Sequence, residues 1–103
     1  MKVIKNITAN ITNLLGKPMF VDEASQEEAK VNNFIASTLI SQAQSADPVR
    51  ALKLAIKLND ASDTLEIEDA DYQMILEAVK SNKNYSNLVA GRILEILLAA
   101  ESK

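Results

Sequence analysis

The side chains in this sequence with the means to do chemistry are carboxylates and amines. Asp60, Asp63, Glu66, Glu68, Asp69 and Asp71 crowd one short stretch. Closely spaced acids can chelate a hard cation or divide the work of general acid and general base. A calcium loop, however, needs oxygen ligands at fixed offsets, a glycine at its sharp turn and a closing glutamate. Counted from Asp60, the turn position holds Leu65 and the closing position holds Asp71, so the pattern fails. Hydrolytic carboxylates project into a cleft from separate rigid elements, whereas these are confined to one segment. The plainer reading is a solvated loop running into a helix N-terminus, where acids meet the positive end of the helix dipole.

Histidine and cysteine are both absent. That removes disulfide frameworks, the usual zinc ligand sets and every nucleophile–base pair built on either residue. Gly16 and Gly91 lie near opposite ends of the chain, so no glycine-rich phosphate loop exists. The sequence therefore points to a protein that is not an enzyme, with no catalytic residue, metal or cofactor.

The amines offer one alternative. Lys2, Lys5 and Lys17 make the N-terminal segment locally basic, since no acid precedes Asp22. They are the candidate contacts for a nucleic acid; the competing reading is solubilising charge on an edge strand. Nucleic-acid modules add aromatic platforms or more arginine, while Phe20 and Phe34 read as core. The formal net charge of −3 argues the same way. Arg50, Lys53 and Lys57, at i, i+3 and i+7, read as the solvent face of a helix opposite Leu52 and Ile56.

The elements that must position these groups follow from composition and pattern. A chain of 103 residues, 48% apolar and 24% charged, is long enough for one domain with a single core. Cysteine-free composition and the lack of an apolar signal-peptide stretch lean towards a cytoplasmic location, a reducing compartment. No apolar run approaches the roughly 18 residues of a membrane span. Residues 1–21 read as a β-hairpin: Val3, Ile7, Ala9, Ile11 and Leu15 alternate with polar neighbours, and Gly16-Lys17-Pro18 punctuates before Met19-Phe20-Val21 returns. Ile4, Ile7, Ile11 and Leu14 also sit at helical spacing, but Asn6, Thr8, Asn10, Thr12 and Asn13 are poor helix formers.

Residues 25–100 read as a helical region. Ser25-Gln26-Glu27-Glu28 has capping-box form, followed by a stripe of Ala29 or Val31, Phe34, Ile35, Thr38, Leu39 and Gln42. Asp47-Pro48 starts a second helix, with Val49, Leu52, Ala55 and Ile56 on one side and Ala51, Leu54 and Leu58 on the adjacent one. Leu65-Glu66-Ile67-Glu68 alternates as a short strand. A third helix buries Tyr72, Ile75, Leu76 and Val79, with Ile67 and Tyr72 spaced as a hydrophobic staple. A last helix runs from about Ser86 to Ala100. The fold expected is α+β and mainly helical: an N-terminal β-hairpin followed by about four α-helices in one compact domain, 1–103.

On that last helix Val89, Ile93, Ile96, Leu97 and Ala100 share one arc, the core face. Gly91, Leu94 and Leu98 form a second stripe, small then large then large, suited to close approach by another helix. Gly91 costs about 1 kcal/mol there relative to alanine, and such a glycine usually has a packing reason. The stripe predicts that the protein is a homo-oligomer joined through Gly91, Leu94 and Leu98, most often with twofold symmetry.

Two stretches, Asn13-Leu14-Leu15-Gly16-Lys17-Pro18-Met19 and Asn84-Tyr85-Ser86-Asn87-Leu88-Val89-Ala90-Gly91-Arg92-Ile93-Leu94, resemble small accessory proteins of tailed phages and prophages. The resemblance implies an assembly factor or an antagonist of a host system, acting on an unidentified protein partner. Its motifs are a turn and a packed helix, and no functional residue carries over from it.

Overall fold

The structure, a computed structural model, describes residues 1–22, 24, 27–41 and 47–102. In chain order its elements are β1 (Lys2–Lys5), β2 (Phe20–Asp22), β3 (Glu27–Glu28), α1 (Val31–Ser41), α2 (Pro48–Asn59), β4 (Thr64–Ile67), α3 (Asp69–Ser81), α4 (Asn87–Leu98) and β5 (Glu101–Ser102). The class is α+β and mainly helical, as the sequence predicts.

β1 is the middle strand of an antiparallel sheet ordered β4-β1-β5. Ile4 lies opposite Leu65 and Lys2 opposite Ile67, while Val3 faces Glu66 on one side and Glu101 on the other. Ile4, Leu65 and Ile67 point into the core, so the alternation read for Leu65 to Glu68 is that of a real strand. The alternation read for residues 3–15 is not continuous. Asn6 takes φ +62°, a left-handed conformation that asparagine tolerates better than most residues. This resets the phase after Lys5, and the buried residues are Ile4, Ile7 and Ile11, while Leu14 and Leu15 are exposed.

The expected N-terminal hairpin is present in a shorter form. Its turn spans Asn13 to Lys17, with Thr12 bridging Pro18 and the Met19 amide donating to the Ile11 carbonyl at 2.8 Å. The Asn13 side-chain carbonyl accepts from the Leu15 and Lys17 amides at 2.9 and 3.1 Å. Gly16 supplies the positive φ, +79°, that closes the turn. β1 belongs elsewhere, in the sheet with β4 and β5, and β2 pairs with β3.

The first helix begins later than the Ser25 capping box predicts. Ser25 and Gln26 lie outside the described residues; Glu27 and Glu28 form β3, and α1 starts at Val31. The backbone there has long-range partners: the Ala29 amide donates to Met19 and the Val31 amide to Ala9, at 2.8 and 3.0 Å. Tertiary hydrogen bonds thus override a local capping signal. Gln42 of the expected α1 stripe also lies outside the described residues.

The later helix starts follow their residues. Asp47 accepts from the Arg50 amide at 3.0 Å, with Pro48 in the first turn of α2. Ser86 accepts from the Val89 amide at 3.3 Å at the start of α4. Ile67 and Tyr72 flank the start of α3, both buried, which is the staple geometry. One hydrophobic core joins β1, β4 and all four helices, with Ile35, Leu58, Ile75, Ile93 and Leu97 fully inside. The Cα radius of gyration, 13.1 Å, is that of a close-packed domain of this length.

On α2 the expected faces are corrected. Ala51, Leu54, Ala55 and Leu58 are buried, whereas Val49, Leu52 and Ile56 are each more than half exposed. The basic residues therefore do not lie opposite a buried Leu52 and Ile56; they run alongside an exposed apolar strip.

Candidate functional site: apolar surfaces on α1, α2 and α4

The acidic run is divided among structural tasks. Asp60 caps the C-terminus of α2, and the Asp63 carbonyl accepts from the Ile7 amide at 3.0 Å. Glu68 and Asp71 both bind the Arg50 guanidinium, tying α2 to the start of α3. The Asp71 hydrogen bond and charge raise the Arg50 pKa further above its ordinary value. Among the described residues no three or more acids come together as a metal-holding group.

The three lysines of the nucleic-acid alternative do not converge. Lys2 donates to Ser102 Oγ at 2.7 Å with its ammonium 5.4 Å from the centre of the Tyr72 ring. Lys5 pairs with Glu101 at 3.5 Å, and Lys17 stands exposed on the separate turn before Pro18. Successive parity along β1 also sends Lys2 and Lys5 to opposite faces of the sheet.

Gly91, Leu94 and Leu98 occupy one flank of α4, but the structure treats them differently. Leu94 packs partly against the core, Gly91 is half-buried, and Leu98 is 65% exposed. A Cβ at Gly91 would meet nothing within 4 Å, so no part of the described chain makes the close approach that the glycine permits. The Asn13–Lys17 turn docks beside it. Arg92 donates to the Thr12 and Asn13 carbonyls at 3.1 and 3.0 Å, holding two of the turn's acceptors. Leu14, 86% exposed, then stands at the edge of a shallow hollow of about 370 Å³ that Leu88 and Gly91 also line.

A second uncovered apolar surface includes Leu52 and Ile56, which the sequence reading set opposite the solvent face of α2. Between α1 and α2 runs a groove of about 300 Å³ with Ala36, Ile40, Leu52, Ala55 and Ile56 along it and Asn33, Ser37 and Asn59 at its polar margin. Ile40 and Leu52 reach solvent from the two helices, and Val49 extends the strip along α2. A signal was present in the sequence. At about 100° per residue the apolar positions of α2 span roughly 220° of its circumference, wider than a single core face needs.

The polar groups buried in the fold serve docking between elements. Tyr85 stacks on Phe34 with ring centres 6.1 Å apart and donates to the Phe34 carbonyl at 2.8 Å. Its hydroxyl also meets Thr38, to which the Asn82 amide donates at 3.2 Å, so the loop before α4 is fastened to α1. Tyr72 donates to the Leu97 carbonyl across the core. Burial pushes the pKa of both phenols up, keeping them neutral donors rather than reactive phenolates.

No protein-family model, curated protein or solved structure matches the chain. No helix among the described residues is long and apolar enough to cross a membrane.

Proposed function

We propose that this protein works by binding other protein chains, not by catalysis, as an accessory protein of the phage or prophage kind its two motifs resemble. The observation that carries the reading is the uncovered strip on α1 and α2: Ile40, Val49, Leu52 and Ile56, all large and each more than half exposed. Fully covering a side chain of this size is worth about 1.5–3 kcal/mol relative to leaving it in water. A contiguous patch of this kind marks an interaction site more often than scattered single residues do.

The same reading includes self-association through α4. Its support is the open space at Gly91, the exposure of Leu98 and Leu14, and the presence of both charge signs nearby, Arg92 beside Glu95. A surface carrying both signs can complement its own copy, as an isologous contact requires. The test is light scattering at high protein concentration on the parent chain and Leu98→Asp. The expected result is an oligomeric parent and a smaller Leu98→Asp species that keeps its helical circular dichroism. A monomeric parent overturns the self-association.

A further inference from the structure

We propose that the turn of residues 13–17 is a membrane-docking tip that seats Leu14 and Leu15 among the lipids of an anionic bilayer surface. This contact is separate from the protein-binding reading above and does not rest on it. Docking of this kind needs no membrane-spanning helix.

Leu14 and Leu15 are neighbours at the end of the hairpin. At 86% and 82% they are the two most exposed large apolar side chains among the described residues. Gly16, Lys17 and Pro18 beside them are exposed as well. A convex tip offers no groove for a partner to fill; it has to enter something. Apolar side chains alone do not decide whether it can, because backbone groups carried out of water must keep hydrogen-bond partners. Here the turn supplies them. The Leu15 and Lys17 amides donate to the Asn13 side-chain carbonyl at 2.9 and 3.1 Å, and the Gly16 amide donates to the Asn13 backbone carbonyl at 3.0 Å. The Asn13 amide donates back to the Lys17 carbonyl at 2.9 Å, and Pro18 has no amide hydrogen to satisfy. Arg92 holds the Thr12 and Asn13 carbonyls from α4, so the tip is ordered before it docks.

Charge points the same way. No acid precedes Asp22, and Lys17 flanks the two leucines, exposed and without an ion pair among the described residues. Its long stem lets the ammonium reach lipid phosphates while the leucines sit deeper. Glu95, the carboxylate that lines the hollow beside Leu14, is paired with Arg92 at 3.5 Å. An apolar pocket on another protein suits the tip less well. Anchors at protein contacts are typically Trp, Tyr and Arg, with leucine under-represented, and the turn carries none of the three. Its amide donors are also spent inside the turn, which leaves a protein little to recognise. A bilayer asks only for apolar bulk and a neighbouring cation.

The experiment is co-sedimentation of the full chain with vesicles of phosphatidylcholine, alone or mixed with phosphatidylserine. The mixed vesicles are expected to bind about fivefold more tightly at low salt, a gain that Lys17→Gln removes. Leu15→Ser is expected to weaken that binding roughly tenfold or more while circular dichroism stays unchanged. Leu15 carries this test because, unlike Leu14, it does not line the hollow beside α4. Leu15→Trp, in a chain with no tryptophan of its own, is expected to shift its emission to the blue and to be quenched by brominated lipid. Failure to sediment with either vesicle overturns the proposal, as does sedimentation that Leu15→Ser leaves unchanged. Equal binding to both vesicles overturns the anionic surface. An oligomer that Leu15→Ser breaks apart, with no vesicle bound, places the tip in a second copy and also overturns it.

Discussion

Replacing Gly91 by alanine separates the stability of the single chain from its assembly. Gly91 lies inside α4, takes no positive φ, and an added Cβ meets nothing within 4 Å. The steric cost within the chain is therefore nil, and what remains is helix propensity. Glycine in a helix interior is about 0.8–1.0 kcal/mol less favourable than alanine. For a domain of this size each kcal/mol shifts Tm by about 4–8 °C, so Gly91→Ala is expected to raise it by roughly 3–8 °C. The measurement is thermal unfolding by circular dichroism in dilute solution, because assembly makes Tm depend on concentration. An unchanged or lowered Tm there would refute the reasoning, since it would mean that something in the chain already fills the space at Gly91. Light scattering on the same variant reads the second half. A methyl group at a close helix–helix approach holds the backbones apart, so the variant is expected to be more stable as a chain yet weaker as an oligomer. If the variant associates as strongly as the parent, the contact does not pass over Gly91.

Four further outcomes are expected. Gly16→Val, at φ +79°, forces a β-branched side chain into the left-handed region and should cost about 1–3 kcal/mol by urea denaturation; an unchanged midpoint would remove the turn's requirement for glycine. Asp47→Ala loses the cap on α2 and should cost about 0.5–2 kcal/mol in the same assay, with no loss meaning that the cap is idle. Asn32 is 4% exposed and donates to the Leu58 carbonyl at 3.0 Å, so Asn32→Asp aims a buried carboxylate at an acceptor and should cost about 3 kcal/mol or more near neutral pH. Finally, burial raises the Tyr72 and Tyr85 pKa values, so between the ordinary and raised values the folded chain holds more protons than the unfolded one. Their contribution is full below about pH 10 and declines as pH rises beyond it, and Tyr72→Phe should flatten that decline; stability that holds level into strong alkali would contradict it.

The parts of the fold legible in the sequence are those decided locally. Asp47-Pro48 caps α2, Ser86 caps α4, and the Ile67–Tyr72 staple sets the start of α3, each through residues within one or two turns. What escaped was decided at a distance. β5 is two polar residues whose only strand signal is a partner, β1, at the other end of the chain. Glu27 and Glu28 favour helix by propensity, yet the pairing of β3 with β2 outweighs it. The phase shift at Asn6 rests on one residue's tolerance of positive φ, which no period-2 count registers. The exposed face of α2 escaped for a related reason. Leu52 and Ile56 differ in no local property from Leu54 and Leu58, and only the side on which α1 lies determines which pair is covered.

The use of the cationic side chains bears on how such a surface would choose its partner. The two arginines are both taken up by the fold: Arg50 links α2 to Glu68 and Asp71, and Arg92 holds the Thr12 and Asn13 carbonyls to α4. Their planar forks suit these multi-point tasks, in which one side chain must satisfy two acceptors at once. Lys2 and Lys5 are engaged with Ser102 and Glu101 at the sheet edge. What remains on α2 is Lys53 and Lys57, compact charges on flexible stems that line a hollow shared with Asp47 and Asp71, apart from the α1–α2 groove. Such groups attract a carboxylate without demanding a fixed geometry from it. A partner helix at the α1–α2 groove would then be recognised by the spacing of its apolar side chains, since no charged residue lines that groove.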